Sequence, residues 1–185
     1  LFTPGCQFDR IRCVIDQYIQ ALKAYNQTTN IYAKTAYDHL DFHCQDASVL
    51  AYIIGNIDCH VVDMGSGSGL PAVIIALTNP RNQVTAIESK SRKTQFLVAV
   101  KSDLNITNLT ICNQAVQTWT GTADVVTAKA FKPIKTVIQL AKKISQNRCL
   151  IPISQRQYNQ LSADSQMQTQ LITQHNTDFY YVDWS

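Results

Sequence analysis

The chain has 185 residues, enough for one domain with a real core. A hydrophobic share of 45% excludes wholesale disorder, and six glycines with five prolines exclude collagen-like and low-complexity classes. A net charge of +3 and a pI of about 8.5 permit an anionic partner without announcing one.

Residues 10–25 read as an amphipathic helix, with Ile11, Val14, Ile15, Tyr18, Leu22 and Tyr25 at helical spacing, ended by the polar stretch 26–30. A second helical region runs 37–54 and stops at Gly55. The texture then changes. Strands are expected at 59–63, 84–87, 109–112, 124–128 and 148–153. Helices are expected at 70–77, halted by Asn79-Pro80, at 91–104, and at 133–144, where Pro133 loses no hydrogen bond by standing first. Asn105 suits a left-handed cap. The tail is Gln-rich, and 179–182 reads as a last edge strand. Strands alternating with helices predict an α/β fold, a mainly parallel sheet with helices on both faces. Residues 1–55 form a helical cap on a core of 56–185, the whole being one domain. The longest apolar runs, 72–77 and 96–100, fall far short of the ~20 residues that span a bilayer. Six cysteines without a C-x-x-C spacing read as reduced, packed thiols, so a cytoplasmic protein without membrane contact is expected.

The informative segment is Val61-Val62-Asp63-Met64-Gly65-Ser66-Gly67-Ser68-Gly69-Leu70-Pro71, between a strand and a helix. Glycine tolerates positive φ and close ligand approach, and the helix start behind it offers free N–H groups. A nicotinamide or flavin loop needs a third glycine where Leu70 stands, and a Walker A loop needs a Gly-Lys-Ser/Thr triplet that the chain lacks. The spacing apolar-apolar-Asp-x-Gly-x-Gly-x-Gly fits instead the S-adenosylmethionine loop of class I methyltransferases, a Rossmann-like fold. Asp63 would orient the methionine ammonium, directly or through water. Glu88, the one glutamate of the chain, ends the second strand, where a ribose diol is held by two oxygens.

The fourth strand ends Asp124-Val125-Val126-Thr127-Ala128-Lys129-Ala130. It carries neither the Asn/Asp-Pro-Pro-aromatic of adenine amino methylation nor a cysteine for attack on a pyrimidine. An acceptor that is already nucleophilic, such as guanine N7, suits such a site. Its in-plane lone pair leaves only positioning and desolvation to the protein.

These motifs resemble the glucose-inhibited division protein B family, bacterial guanine-N7 methyltransferases of small-subunit (16S) ribosomal RNA. The loop Asp63 to Pro71 resembles the family's Asp-x-Gly-Ser/Thr-Gly-x-Gly-Leu-Pro. Tyr25-Asn26 through Ile31-Tyr32 resembles its Trp-Asn…Asn-Leu-Thr element, and His43-Cys44-Gln45-Asp46 its Arg-His-x-x-Asp-Ser element. Ile87-Glu88-Ser89, with Lys93 and Phe96-Leu97, resembles its second-strand segment. The chain departs from the family at Phe42 (Arg), Ala115-Val116-Gln117 (Arg-x-Glu), Ala128-Lys129-Ala130 (Ser-Arg-Ala) and Pro152-Ile153-Ser154 (Leu-Lys-Gly).

The resemblance implies an rRNA-processing transferase with S-adenosylmethionine as cofactor and small-subunit ribosomal RNA as partner, acting as a monomer without metal. It implies Asp63, Gly65, Ser66, Gly67, Gly69, Leu70, Glu88, Val116, Gln117 and Lys129 around the cofactor. The Val116-Gln117 backbone would flank the adenine, and Lys129 would be catalytic, beside the cofactor carboxylate or an RNA phosphate. His43 and Asp46 would face the substrate. His39, His43 and Asp46 could share a helix face, but three such ligands make a weak metal set. The rival expectations are a catalytically weakened methyltransferase fold that binds cofactor or RNA, and a methyltransferase for a small molecule or protein.

Overall fold

The computed structural model describes residues 4–162, 168–174 and 176–184, with side chains from residue 12 onward apart from the same gaps. Ile11 and Cys6 therefore lie outside the described side chains. Helix α1 (Pro4–Tyr25) is followed by a 3-10 turn (Lys34–His39) and α2 (Leu40–Ile54). The expected 37–54 helix is thus two elements, with His39 at their joint. Next come β1 (His60–Met64), α3 (Ala72–Thr78), β2 (Gln83–Ile87), α4 (Ser91–Asp103) and β3 (Leu109–Cys112). They are followed by β4 (Ala123–Thr127), α5 (Ile134–Ile144), β5 (Ser145–Ile153), α6 (Gln155–Leu161), β6 (Thr169–Gln174) and β7 (Thr177–Trp184). Asn105 takes φ 52°, the left-handed cap expected of it.

The seven strands form one sheet in the order β3-β2-β1-β4-β5-β7-β6. β1 to β5 pair in parallel, while β7 pairs antiparallel with β5 and β6. The edge assignment of 179–182 is corrected here. β7 is an inner strand and β6 covers it, so Tyr181 and Val182 are wholly buried. α6 was also unexpected, although Ser154 and Gln157 form a capping box at its start.

Both faces of the central strands are apolar, as a parallel sheet covered on two sides requires. Val61, Val84 and Leu109 face Tyr18, Leu22, Leu50, Val73, Ile74 and Phe96 of α1 to α4. Val62, Val126, Cys149 and Ile151 face Val137, Ala141, Ile144 and Leu161 of α5 and α6. Three asparagines tie down the amino end of the sheet: Asn79 Nδ2 donates to Ala51 O at 2.8 Å, Asn82 Nδ2 to Ile57 O at 2.8 Å, and Asn108 Nδ2 to Asn82 O at 2.9 Å. The opposite, carboxyl end is left to the loops. No helix among the described residues is long and apolar enough to cross a membrane, and the five described cysteines are free.

Candidate functional site

The strand order reverses between β1 and β4, and in such sheets ligands enter the crevice at the carboxyl ends beside this switch point. The loop 65–69 fills that place. Gly65 and Ser66 N–H donate to Ile87 O at 2.8 and 3.0 Å, and Gly69 N–H to Ser66 O at 2.7 Å, which moors the loop to β2. Gly67 N–H donates to Glu88 Oε2 at 3.0 Å, and Lys90 N–H to Oε1 at 2.8 Å. The Glu88 carboxylate, only 7% exposed, is thus clamped between the loop and the start of α4. Asn113 Nδ2 locks the turn behind it by donating to Glu88 O at 3.0 Å and Ser89 O at 3.2 Å.

The three glycines serve different needs. A Cβ on Gly65 would collide with the Phe131 ring, and one on Gly69 with Val73 and Leu97. Both are required by packing. Gly67, at φ +59°, would place a Cβ without collision, in ordinary contact with Lys93 Nζ at 3.6 Å and Gly65 O at 3.8 Å. It therefore marks the side on which a ligand has room. A cavity of about 290 Å³ opens there, lined by Gly65, Ser66, Gly67, Ser68 and Leu70 from the loop, Ile31, Tyr32 and Ala33 from the cap, and Lys93, His43, Lys129 and Ala130. Gly69 and Glu88 stand behind this lining and do not form part of it.

The cap shapes this cavity. Tyr18, fully buried on α1, donates its hydroxyl to Ser68 O at 2.8 Å. Asn26 Oδ1 accepts from Ile31 N–H at 2.8 Å and Tyr32 N–H at 3.0 Å, while its Nδ2 donates to Tyr32 O at 2.7 Å. One side chain thus folds the segment that forms the cavity's cap-side wall.

Asp63 lies beneath the loop, wholly buried. Neither carboxylate oxygen has a hydrogen-bond partner, and burial pushes the carboxyl up to about 7 against the opposing pull of Ser66 and the Ala72 N–H. Direct contact with a ligand ammonium, expected from its place in the motif, is not available from this position. Asp63 underlies the site instead of lining it.

Lys129 is also corrected. Its Nζ donates to Asp46 Oδ2 and, at 3.3 Å, to His43 O, and the pair is largely buried, at 15% and 9% side-chain exposure. Asp46 in turn accepts from the Tyr181 hydroxyl at 3.0 Å on Oδ1 and 3.2 Å on its backbone O. Asp46 is therefore held on both oxygens by the fold while still lining the cavity behind the pair, and Lys129 is held by Asp46 rather than free for a phosphate. The two form a wall. His43, beside it, lines the ligand cavity and leaves Nδ1 buried without a partner. Burial, then the Lys129 ammonium, lowers the His43 pKa, so the ring is neutral at pH 7.

Behind that wall lies a second cavity of about 280 Å³. It shares His43, Lys129 and Ala130 with the first and is closed by Phe131, Ile134, Val137 and Ile151. Val116 packs into the α5 side of the core and Gln117 is exposed in the short turn after β3. Neither lines either cavity.

Sequence reasoning missed Tyr181, Asn113 and Phe131, and named Asn26 only as part of a resembled element. Only Phe131 had a usable signal, as an aromatic two residues past Lys129 in the loop after the fourth strand. Lys90 and Arg92 are exposed, whereas Lys93 is partly buried in the cavity wall, where desolvation lowers its pKa. Among the described residues no cluster of His, Cys, Asp or Glu could hold a metal ion.

The profile of one family, described as rRNA small subunit methyltransferase G, matches residues 13–180. A Ribosomal RNA small subunit methyltransferase G from Francisella tularensis subsp. novicida (strain U112) is 32% identical over 133 residues, 69% of this chain and 63% of that protein. One of the same name from Acidothermus cellulolyticus is 32% identical over 127 residues, 68% of this chain and 57% of that protein. The chain thus matches 57–63% of the length of these curated relatives. Among solved structures, magnesium protoporphyrin IX methyltransferase (ChlM) from Synechocystis PCC 6803, with bound SAM, aligns at a TM-score of 0.63 and 12% identity, over 90% of this chain and 95% of that one. Cofactor-bound Rv0187 from MTB aligns at 0.64 and 13% identity, over 92% and 88%. At such identities the likeness is one of fold, the class I methyltransferase fold. The family match is the more specific finding. It takes in most of the cap and every parallel strand, and on that ground the chain belongs to the GidB family, rRNA small subunit methyltransferase G.

Proposed function

We propose that this protein is an S-adenosylmethionine-dependent methyltransferase acting on N7 of a guanine in small-subunit ribosomal RNA, working in the cytoplasm as a monomeric single domain without metal. The observation that carries the reading is the Glu88 carboxylate, clamped against Gly67 N–H at the head of the crevice, beside a cavity that meets a second one across the Lys129 wall.

The residues present fit the cofactor. Tyr32 Oη and His43 Nδ1 are buried without partners, and both residues line the cavity. Such a surplus of unpaired polar atoms suits a polar ligand. Glu88 would accept from the ribose hydroxyls, and the backbone of Gly65 to Ser68 with Leu70 would hold the methionine part. The adenine would run toward the end of β3, where Gln117 is exposed. Bound there, the cofactor supplies an electrophilic methyl group.

The second cavity would take the acceptor base. Phe131, Ile134, Val137 and Ile151 exclude water around it. Guanine N7 carries no proton to remove, so the reaction asks of His43 and of the ion-paired Lys129 only that they hold their places in the wall. Lys129 acts here as a positioning residue that fixes the wall between the two ligands. The test is transfer of tritium-labelled methyl to small ribosomal subunits that lack the modification. Label recovered as 7-methylguanine in the small-subunit RNA supports the reading. Cofactor binding without transfer, or label on protein or a small molecule alone, overturns it.

A further inference from the structure

The acceptor cavity continues into a third, of about 470 Å³, and the two share Phe42, Asp46, Ile153 and Ser154. Phe42 stands at their junction, 43% exposed. Its ring is stacked on Phe179 with centroids 5.6 Å apart and planes 12° from parallel, and meets His43 edge-on at 5.7 Å. Phe179 is itself buried, at 3% exposure, so the core backs the platform. Tyr180, which lines the third cavity, leans on Tyr158 at 5.0 Å.

A ring held from behind and open in front is what an unpaired nucleobase stacks on. The charges around it agree. Lys132 lines the acceptor cavity and is exposed, and Arg156 is exposed between Gln155 and Gln157, which line one cavity each. Of the carboxylates in the groove, Asp46 is paired with Lys129, whereas Asp178 accepts from the uncharged Thr173 Oγ1 at 2.6 Å, so Lys132 and Arg156 outweigh it by one charge. A chain with one base in the acceptor cavity must put its next nucleotide where the third cavity begins.

We propose that Phe42 is a stacking platform for the nucleobase adjoining the acceptor guanine, so that the protein holds two consecutive unpaired nucleotides. The assignment rests on the methyltransferase reading above. The probe is a synthetic single-stranded RNA with one guanine, its binding measured by fluorescence anisotropy with S-adenosylhomocysteine present. Phe42→Leu, which keeps an apolar side chain but removes the π-face, should weaken binding about 5- to 150-fold, the range for loss of one stacked base. Phe42→Trp should retain it. An abasic nucleotide on one side of the guanine should weaken wild-type binding by a similar factor and leave the Phe42→Leu variant unaffected. Unchanged S-adenosylhomocysteine affinity in that variant, by calorimetry, shows an intact fold. Independent, multiplicative losses from protein and RNA changes on both sides of the guanine would overturn the platform. Coupled losses in a protein that transfers no methyl to N7 would keep the platform and overturn the activity. A wild-type protein that does not bind the RNA overturns both.

Discussion

Replacing Asp63 with asparagine tests the strangest group in the site, a carboxyl sealed under the glycine loop without a hydrogen bond. Its pKa stands at about 7 in the folded chain. In the unfolded chain it returns to about 3.9. Between those values the folded state holds a proton that the unfolded state has released. Stability therefore falls as pH rises through the window from roughly 4 to 7, and is flat above it. A shift of three units is worth at most about 4 kcal/mol, or roughly 10 °C in Tm for a chain of this length. The asparagine side chain keeps the shape and cannot ionise. The difference in stability between Asp63→Asn and wild type should grow in the variant's favour by about 1.4 kcal/mol per pH unit across that window. Taking the difference cancels His43, whose lowered pKa acts in the opposite sense, costing stability as pH falls. Urea melts of both proteins at pH 5, 6, 7 and 8 give the curve. A difference independent of pH would refute the reasoning, because it would mean that Asp63 is ionised and paired in solution.

Glu88→Gln keeps the shape but loses the charge and one accepting oxygen, and should weaken S-adenosylmethionine binding by about one to two orders of magnitude in calorimetry. Gly67→Ala should leave the chain folded, at a cost of roughly 1 kcal/mol for its positive φ, and yet abolish measurable cofactor binding, since the new methyl faces the cavity. Normal binding by that variant would reduce the loop to a turn. Lys129→Ala strands the buried Asp46 carboxylate and should cost about 3–5 kcal/mol in denaturant melts, with Lys129→Ala/Asp46→Ala recovering part of the loss. Tyr181→Phe removes only the hydroxyl that holds Asp46, so a loss of about 1–2 kcal/mol is expected, with methyl transfer falling further than cofactor affinity. Equal falls in both would make Tyr181 purely structural.

What could be read from the sequence was what local pattern encodes. The five parallel strands are short apolar runs, and their helices carry one-sided periodicity, so element type and order were legible. The glycine loop and Glu88 were legible because turn chemistry and spacing lie within one strand-loop-helix unit. The C-terminal third was not. β6 (Thr169–Gln174) is an edge strand of Thr, Gln, Leu and Ile whose polar residues mask any alternation, and without it β7 reads as the edge. Nor does any local pattern say that Lys129 meets Asp46 across 83 positions of sequence. The spacing assigned both to ligands, and only the fold reveals that each is the other's partner. Asp63 shows the converse: its motif position was right, and its burial, which decides what it can touch, depends on α1 packing over the loop.

The bond from Tyr181 to Asp46 also has a consequence in time. Its two ends lie 135 residues apart in sequence. Synthesis at 5–20 residues per second separates their emergence by roughly 7 to 27 seconds, while earlier segments are already free to fold. The glycine loop, Glu88 and the parallel strands can assemble in that interval from residues close in sequence. The wall between the two cavities must wait for the last strand. A nascent chain can thus shape its first cavity before its second, and the Lys129–Asp46 wall between them is braced only once β7 has been made.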